Sequence, residues 1–315
     1  MTAATSHRRS HAGAARSAGS HAGGRRMNRR IRLSFIGCVK SELLKLWSLN
    51  STKWMLGIAV AINVAMAALS AWSVTFLATI DVSTGKTLDD PQPILASDMW
   101  SVLASSGSSA ALVIGIFGVM VITSEYTTSA IQSSLAANPR RGMFYIAKSA
   151  AVALFTLVAS AVGVALAWVV MTMMTSGYEA IALADNQRRI IPVVLIGFPV
   201  VMMLVSLMAQ GLGGLTRSTV GGVCTVVGLF LILASVASIV ALMSSHIAWL
   251  GSVSYCLPDS ALNNFLTAGV QDSTTAALTR NYWVPAWWQS GLILLAWTAA
   301  AWIAGFVVTR RADIK

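Results

Sequence analysis

The chain has 315 residues, of which 56% are apolar and only 10% charged, with a mean hydropathy of +0.71. Those values exclude a single soluble domain, and the longest apolar runs exceed the length that spans a bilayer, so an all-α integral membrane protein is expected. The net charge of +11 sits in the N-terminal tail and in short loops between apolar runs, which membrane topology explains without a nucleic-acid partner. Cys38, Cys224 and Cys256 lie far apart, with no Cys-x-x-Cys and no paired histidines, so neither a metal site nor a disulfide framework is expected.

Residues 1–32 form a basic tail of Ser, His, Ala, Gly and Arg with an imperfect repeat, SHAGAARSAG followed by SHAGGRR. Without apolar surface to offset its ordering entropy it is expected to be disordered, and it lacks the apolar core of a cleavable signal peptide. The irregular spacing of His7, His11 and His21 suits a solvated tail better than a metal site. From residue 33 to 53, Ile36, Val39, Leu43, Leu46 and Trp47 fall near one helical face, with Lys40, Glu42, Lys45 and Ser48 elsewhere. That pattern predicts an amphipathic helix, and its immediate run into Lys53 and Trp54 favours a place in the membrane interface over an ordinary cytosolic extension.

Six spans are predicted within residues 54–315, at about 54–80, 101–124, 146–175, 190–215, 218–243 and 287–309. Gly85-Lys86-Thr87, between the first two, looks like the end of a phosphate-binding loop, but Ile80 stands where that loop needs glycine and no strand precedes it. The segment 244–286 is too long for a tight turn and too polar to span. Its two apolar pieces, broken at Pro258-Asp259, suit helices that dip into the membrane and return; the alternative is an extracellular loop packed by Trp249, Tyr255 and Trp283. Six spans put both termini on one side. Of the 22 Lys and Arg, all but Lys86, Arg188, Arg189 and Arg280 fall on that side, which predicts cytoplasmic termini, with Arg188 and Arg189 as the local misfit.

Polar residues within the spans are few. Asn63, Gln210 and the glycines at 211, 213, 214, 221 and 222 suit helix packing, and Gln210 to Arg217 ends in a tight turn that offers a second surface to a partner. No catalytic residue is expected: His246 with Ser252 or Ser254 could form a dyad, but an interfacial histidine without a carboxylate neighbour is the simpler reading. An ion-coupled carrier would place ionisable groups in mid-span, and none stands there convincingly.

The most informative stretch is Val119 to Lys148. Glu125 ends an apolar run, where a carboxylate is costly unless it reaches water, a cation or backbone donors. After it come a Thr- and Ser-rich piece, with Ile131 and Leu135 at helical spacing, and the turn Pro139-Arg140-Arg141. A span ending in Val121, Glu125 and Tyr126, followed by Thr127, Thr128, Ile131, Pro139, Arg140, Arg141 and Lys148, resembles the ATP-binding-cassette (ABC) permeases of the type-2, exporter-like superfamily. The likeness extends from about Met27, a candidate start of translation, and includes Ser41-Glu42-Leu43-Leu44-Lys45-Leu46.

The resemblance implies a coupling helix within 125–141, from Thr127 to Ala137, that receives force from a separate cytoplasmic ABC ATPase subunit. ATP-Mg would be bound on that partner, this chain would hold no cofactor, and a second permease copy or homologue would complete the transporter. Glu125, Tyr126, Thr127, Thr128, Ile131, Pro139, Arg140 and Arg141 are the expected coupling residues. Ile36, Leu43, Lys45 and Trp47 mark the interfacial helix against membrane lipids. Re-entrant helices before the last span and the direction of transport, export, rest on the same resemblance. An apolar passage suits a hydrophobic or amphipathic cargo such as a drug, a peptide antibiotic or a lipid. A stand-alone carrier or membrane-embedded enzyme is the alternative. The Ala, Gly and Arg bias suggests a bacterial plasma membrane.

Overall fold

Each apolar run becomes a helix, and most of these helices overshoot the predicted spans. A computed structural model describes residues 34–81, 83–127, 141–243, 248–270 and 283–311. In chain order the elements are α1 (Phe35–Ser48), α2 (Asn50–Ala78), β1 (Ile94–Leu95), α3 (Ala96–Thr127), α4 (Arg141–Thr175), β2 (Ala180–Ile181) and α5 (Ile190–Thr216). The sixth helix, α6, is made of Thr219–Val227, Gly228–Ile232 and Leu233–Met243; α7 (Ala248–Ser254), α8 (Pro258–Leu266) and α9 (Trp287–Arg311) follow. Six of them, α2 to α6 and α9, are long and apolar enough to cross a membrane. The chain is a multi-pass, all-α membrane protein.

Two of the spans carry a π-helical turn. In α5 it covers Val193–Gly197, immediately before Pro199. Proline lacks an amide hydrogen and its ring crowds the carbonyl four residues back, and a wider turn relieves both problems. The turn in α6, Gly228–Ile232, has no proline to explain it. Both π turns lie against α8.

The bundle is built with small residues inside. In α2 the buried positions Ala59, Asn63, Ala67, Ala71 and Thr75 recur every fourth residue, while Trp54, Ile58, Leu69, Trp72 and Phe76 are exposed. Lipid tails are as apolar as leucine, so large side chains gain little by turning inward, and close backbone approach supplies the attraction. The tightest crossing joins α5 to α9, where a Cβ on Gly211 would overlap the Ala301 carbonyl and one on Gly305 would stand 2.8 Å from Gly211 Cα. Helix α3 is the axis: 67% of its apolar window is buried, against 22% for α2, α6 and α9.

Two features differ from the sequence expectation. Residues 33–53 are not one helix, because Leu49 is extended (φ −79°, ψ 118°) and Asn50 already begins α2. The loops hold β1 and β2, two-residue strands that pair in parallel, Ile94 with Ala180 and Leu95 with Ile181, and tie the α2–α3 loop to the α4–α5 loop. Gly85-Lys86-Thr87 belongs to a turn. Asp81 accepts hydrogen bonds from the Ser83 and Thr84 side chains, Gly85 takes φ +67°, and Thr87 bridges back to Ile80. The Ser83 hydroxyl, then the Thr84 hydroxyl and the Ser83 amide, hold the Asp81 carboxyl down at about 2. The basic tail, Met27 included, lies outside the described residues.

The crossing can be tested directly. Gly211→Ala should lower stability by about 1–3 kcal/mol through overpacking. Gly57→Ala, where a Cβ meets nothing within 4 Å, should lose none. Apparent Tm values of both variants in one detergent decide the matter.

Candidate functional site

Glu125 closes the apolar part of α3, one turn beyond Val121, and is only 2% exposed. A carboxylate so buried demands a counter-charge, and two ammonium groups supply it. Lys148, two turns into α4 and 1% exposed, donates from Nζ to Glu125 Oε1 at 2.8 Å. Lys45, on α1, donates to the same oxygen. Lys148 Nζ also donates to Glu42 Oε2 of α1 at 2.8 Å and stands 5.3 Å from the centre of the Phe144 ring. Two acids and two ammonium groups therefore close a formally neutral cluster that joins α1, α3 and α4.

The apolar setting of the cluster follows from the same helices. Leu46, one turn after Glu42, packs with Leu56, Phe117, Val121, Ala151 and Val152 beneath the charges. Water is thereby kept from the Lys148 side, and the pairing is stronger than at a surface. Lys45 is the exception, with a 37% exposed side chain on the rim of a cleft between α1, α2 and α3.

Glu42 and Lys45, which lie off the apolar face of α1, reach the bundle beside Leu46, while Ile36, Leu44 and Trp47 are exposed. The reason is electrostatic: Lys148 and Glu125 need partners more than Ile36 needs cover. Leu43 packs at the edge of the apolar wall, and the Trp47 ring receives Lys53 Nζ at 5.6 Å. The other expected residues are partly placed. Tyr126 is half-buried, its hydroxyl 3.4 Å from Thr309 Oγ1 of α9. Thr127 ends α3 and Arg141 begins α4. Thr128, Ile131, Pro139 and Arg140, and with them the coupling helix to Ala137, lie outside the described residues, as does His246.

Two partners, Lys148 and Glu42, escaped notice as a pair although the signal was there. Glu125 and Lys148 each interrupt an apolar run in consecutive antiparallel helices, so they stand at one depth. Comparison of the chain with protein-family models and with curated proteins finds no match.

A second polar cluster lies elsewhere in the bundle. Asp259, in α8 and outside the six spans, accepts from Ser108 Oγ of α3 at 2.7 Å, and Asn263 Nδ2 donates to Ser108 Oγ at 2.7 Å and to Asp259 Oδ2 at 3.3 Å. Ser108 is twelve residues into α3, about 18 Å along its axis, so α8 reaches well into the bundle. Asn264 fastens the same helix to the Pro285 carbonyl and the Ser290 hydroxyl. Desolvation raises the Asp259 carboxyl, and the Ser108 and Asn263 bonds offset only part of that rise.

Two outcomes are expected. Lys148→Met leaves Glu42 without a cation and Glu125 with Lys45 alone, and should cost most, about 3–5 kcal/mol. Glu125→Ala should cost less, because Glu42 still neutralises Lys148, and Lys45→Met least. Thermal unfolding of the three variants tests that order. For Asp259, a carboxyl raised in the folded state stabilises when protonated; its contribution is complete below the unfolded-state value and is lost as pH rises through the raised one. Asp259→Asn should therefore gain Tm relative to wild type progressively as pH rises above the ordinary carboxyl value of about 4. A difference that stays constant as pH rises would contradict it.

Proposed function

We propose that this chain is the membrane-spanning permease subunit of an ATP-driven ABC transporter of the type-2, exporter-like superfamily. It works in a bacterial plasma membrane with both termini in the cytoplasm, a separate ABC ATPase subunit and a second permease copy or homologue. Its cargo is hydrophobic or amphipathic, of the class of drugs, peptide antibiotics or lipids.

The reading is supported above all by the clamp on Glu125. That residue is the last charged anchor of α3 before segment 128–140, and Lys148 is the first charged anchor of α4 after Arg141. Force applied to the connecting segment meets the bundle at this pair, and α1 is fastened to it through Glu42 and Lys45. A push from a cytoplasmic ATPase would thus be divided among three helices at once, which is what a mechanical switch between two packed states requires. The exposed Ile36, Leu44 and Trp47 on the far face of α1 suit an interfacial helix that slides on the lipid surface.

A second reading, a stand-alone ion-coupled carrier, draws on Asp259: a partly buried carboxyl held by a hydroxyl and an amide is a candidate proton site. The two readings separate in one purification. From the native host in mild detergent, the tagged chain should bring down a stoichiometric ABC ATPase, identified by mass spectrometry and by nucleotide hydrolysis. Replacing residues 128–137 with Gly and Ser should release it. Glu125→Ala should keep the ATPase bound and hydrolysing while substrate efflux is lost. A chain that purifies alone and transports along a proton gradient would establish the carrier instead.

A further inference from the structure

Helices α4 and α5 meet along a polar face inside an otherwise apolar bundle. On α4 the buried residues Tyr145, Ser149, Thr156 and Ser160 are spaced by four, seven and four positions and so share one side. On α5 Ser206 and Gln210 are one turn apart, and both are fully buried. The middle of the seam is satisfied: Thr156 Oγ1 and Ser206 Oγ are 3.0 Å apart, and Ser149 Oγ receives Trp302 Nε1 at 2.8 Å.

Its inner part is not. Neither amide atom of Gln210 and not the Tyr145 hydroxyl has a hydrogen-bond partner among the described residues, although all are buried. They flank one crossing: Gly211, next to Gln210, packs on Ala301 and Gly305 of α9, and a Cβ on Gly305 would stand 2.9 Å from Tyr145 Oη. A buried amide with both ends unmet costs free energy, and leucine would fill the space without that cost. Such a mismatch between residue and surroundings marks a group that is satisfied in another state.

We propose that Gln210 and Tyr145 are the hydrogen-bonding part of a substrate site on the α4–α5 seam, filled, when the seam parts, by an apolar molecule that carries an amide group. An amide offers one acceptor and one donor side by side, which is the complement of the glutamine side chain. The Tyr145, Trp302 and Phe306 rings, with centroids 5.4 to 5.7 Å apart, provide the apolar wall. The site rests on the transport reading for its purpose but not for its existence.

The test uses the full chain in native membranes with Cys38, Cys224 and Cys256 replaced by Ser. In that background Gln210→Cys is compared with Ala209→Cys, equally buried but turned toward Gly115 and Gly118 of α3. A small hydrophilic thiol reagent should modify position 210 at least about tenfold faster than 209, because only the seam opens. N-acetyl-leucinamide should slow that modification, and 1-octanol at equal concentration should not. Equal rates at 209 and 210 would overturn the opening seam, and equal protection by octanol would overturn the amide. Gln210→Leu should abolish protein-dependent retention of radiolabelled N-acetyl-leucinamide with no loss of Tm; a fall in Tm would reveal a structural partner and overturn the assignment. Selective modification at 210 in a chain that brings down no ATPase would leave this site standing while removing the ATP-driven reading.

Discussion

The buried ammonium of Lys148 is the constraint on which the inner end of the bundle depends. A lysine in apolar surroundings must find carboxylates or be expelled, and here it finds one on α1 and one on α3. That single requirement turns Glu42 of α1 toward the bundle and holds the ends of α3 and α4 at one level. Lys45 then completes the neutrality from the solvent side. Because Glu125 Oε1 is shared by two cations, a shift of α1 against α3 can exchange one partner for the other without leaving the carboxylate bare. A joint of that kind tolerates motion and resists separation.

Elsewhere the bundle is held by closeness. In lipid there is little hydrophobic gain from bringing helices together, so contact depends on small residues and on hydrogen bonds that would otherwise be unmet. The glycines of α5 meet α3 on one side and α9 on the other, and Asn63 of α2 donates to Ser106 of α3 at 3.0 Å. These contacts explain why α3, with Ser and Gly along its length, is the most buried span although α5 is more apolar. Polarity that would be a liability on the lipid side is what admits α3 to the centre.

The number of spans and their order were legible because each is an apolar run longer than the bilayer requires. The span ends were not, since polar residues such as Ser51 and Asp98 continue a helix once its neighbours carry it, and hydropathy sees only the membrane core. Glu125 and Lys148 could be matched by their depth, yet Glu42 and Lys45 could not be added to them without knowing that α1 folds back on α4. Gln210 was read as a packing amide like Asn63. Only the placement of the two separates them: Asn63 bonds across a helix interface, and Gln210 bonds to nothing described.

That contrast bears on how the molecule changes shape. Polar groups that are paired inside a bundle raise the cost of leaving the present arrangement, as the Lys148 cluster and the Thr156–Ser206 contact do. Polar groups that are buried and unpaired lower it, because any rearrangement that brings water or a ligand to them recovers lost hydrogen bonding. Among the described residues, the clamp joins α1, α3 and α4 and leaves only one carboxylate oxygen, Glu125 Oε2, unmet, whereas at the convergence of α4, α5 and α9 both amide atoms of Gln210 and the Tyr145 hydroxyl are unmet. Lys148 and Ser149 are adjacent on α4 and face different helices, Lys148 toward α1 and α3 and Ser149 toward Trp302 of α9. A tilt of α4 about its locked face would open the other, so the clamp would act as the hinge and the seam as the mouth.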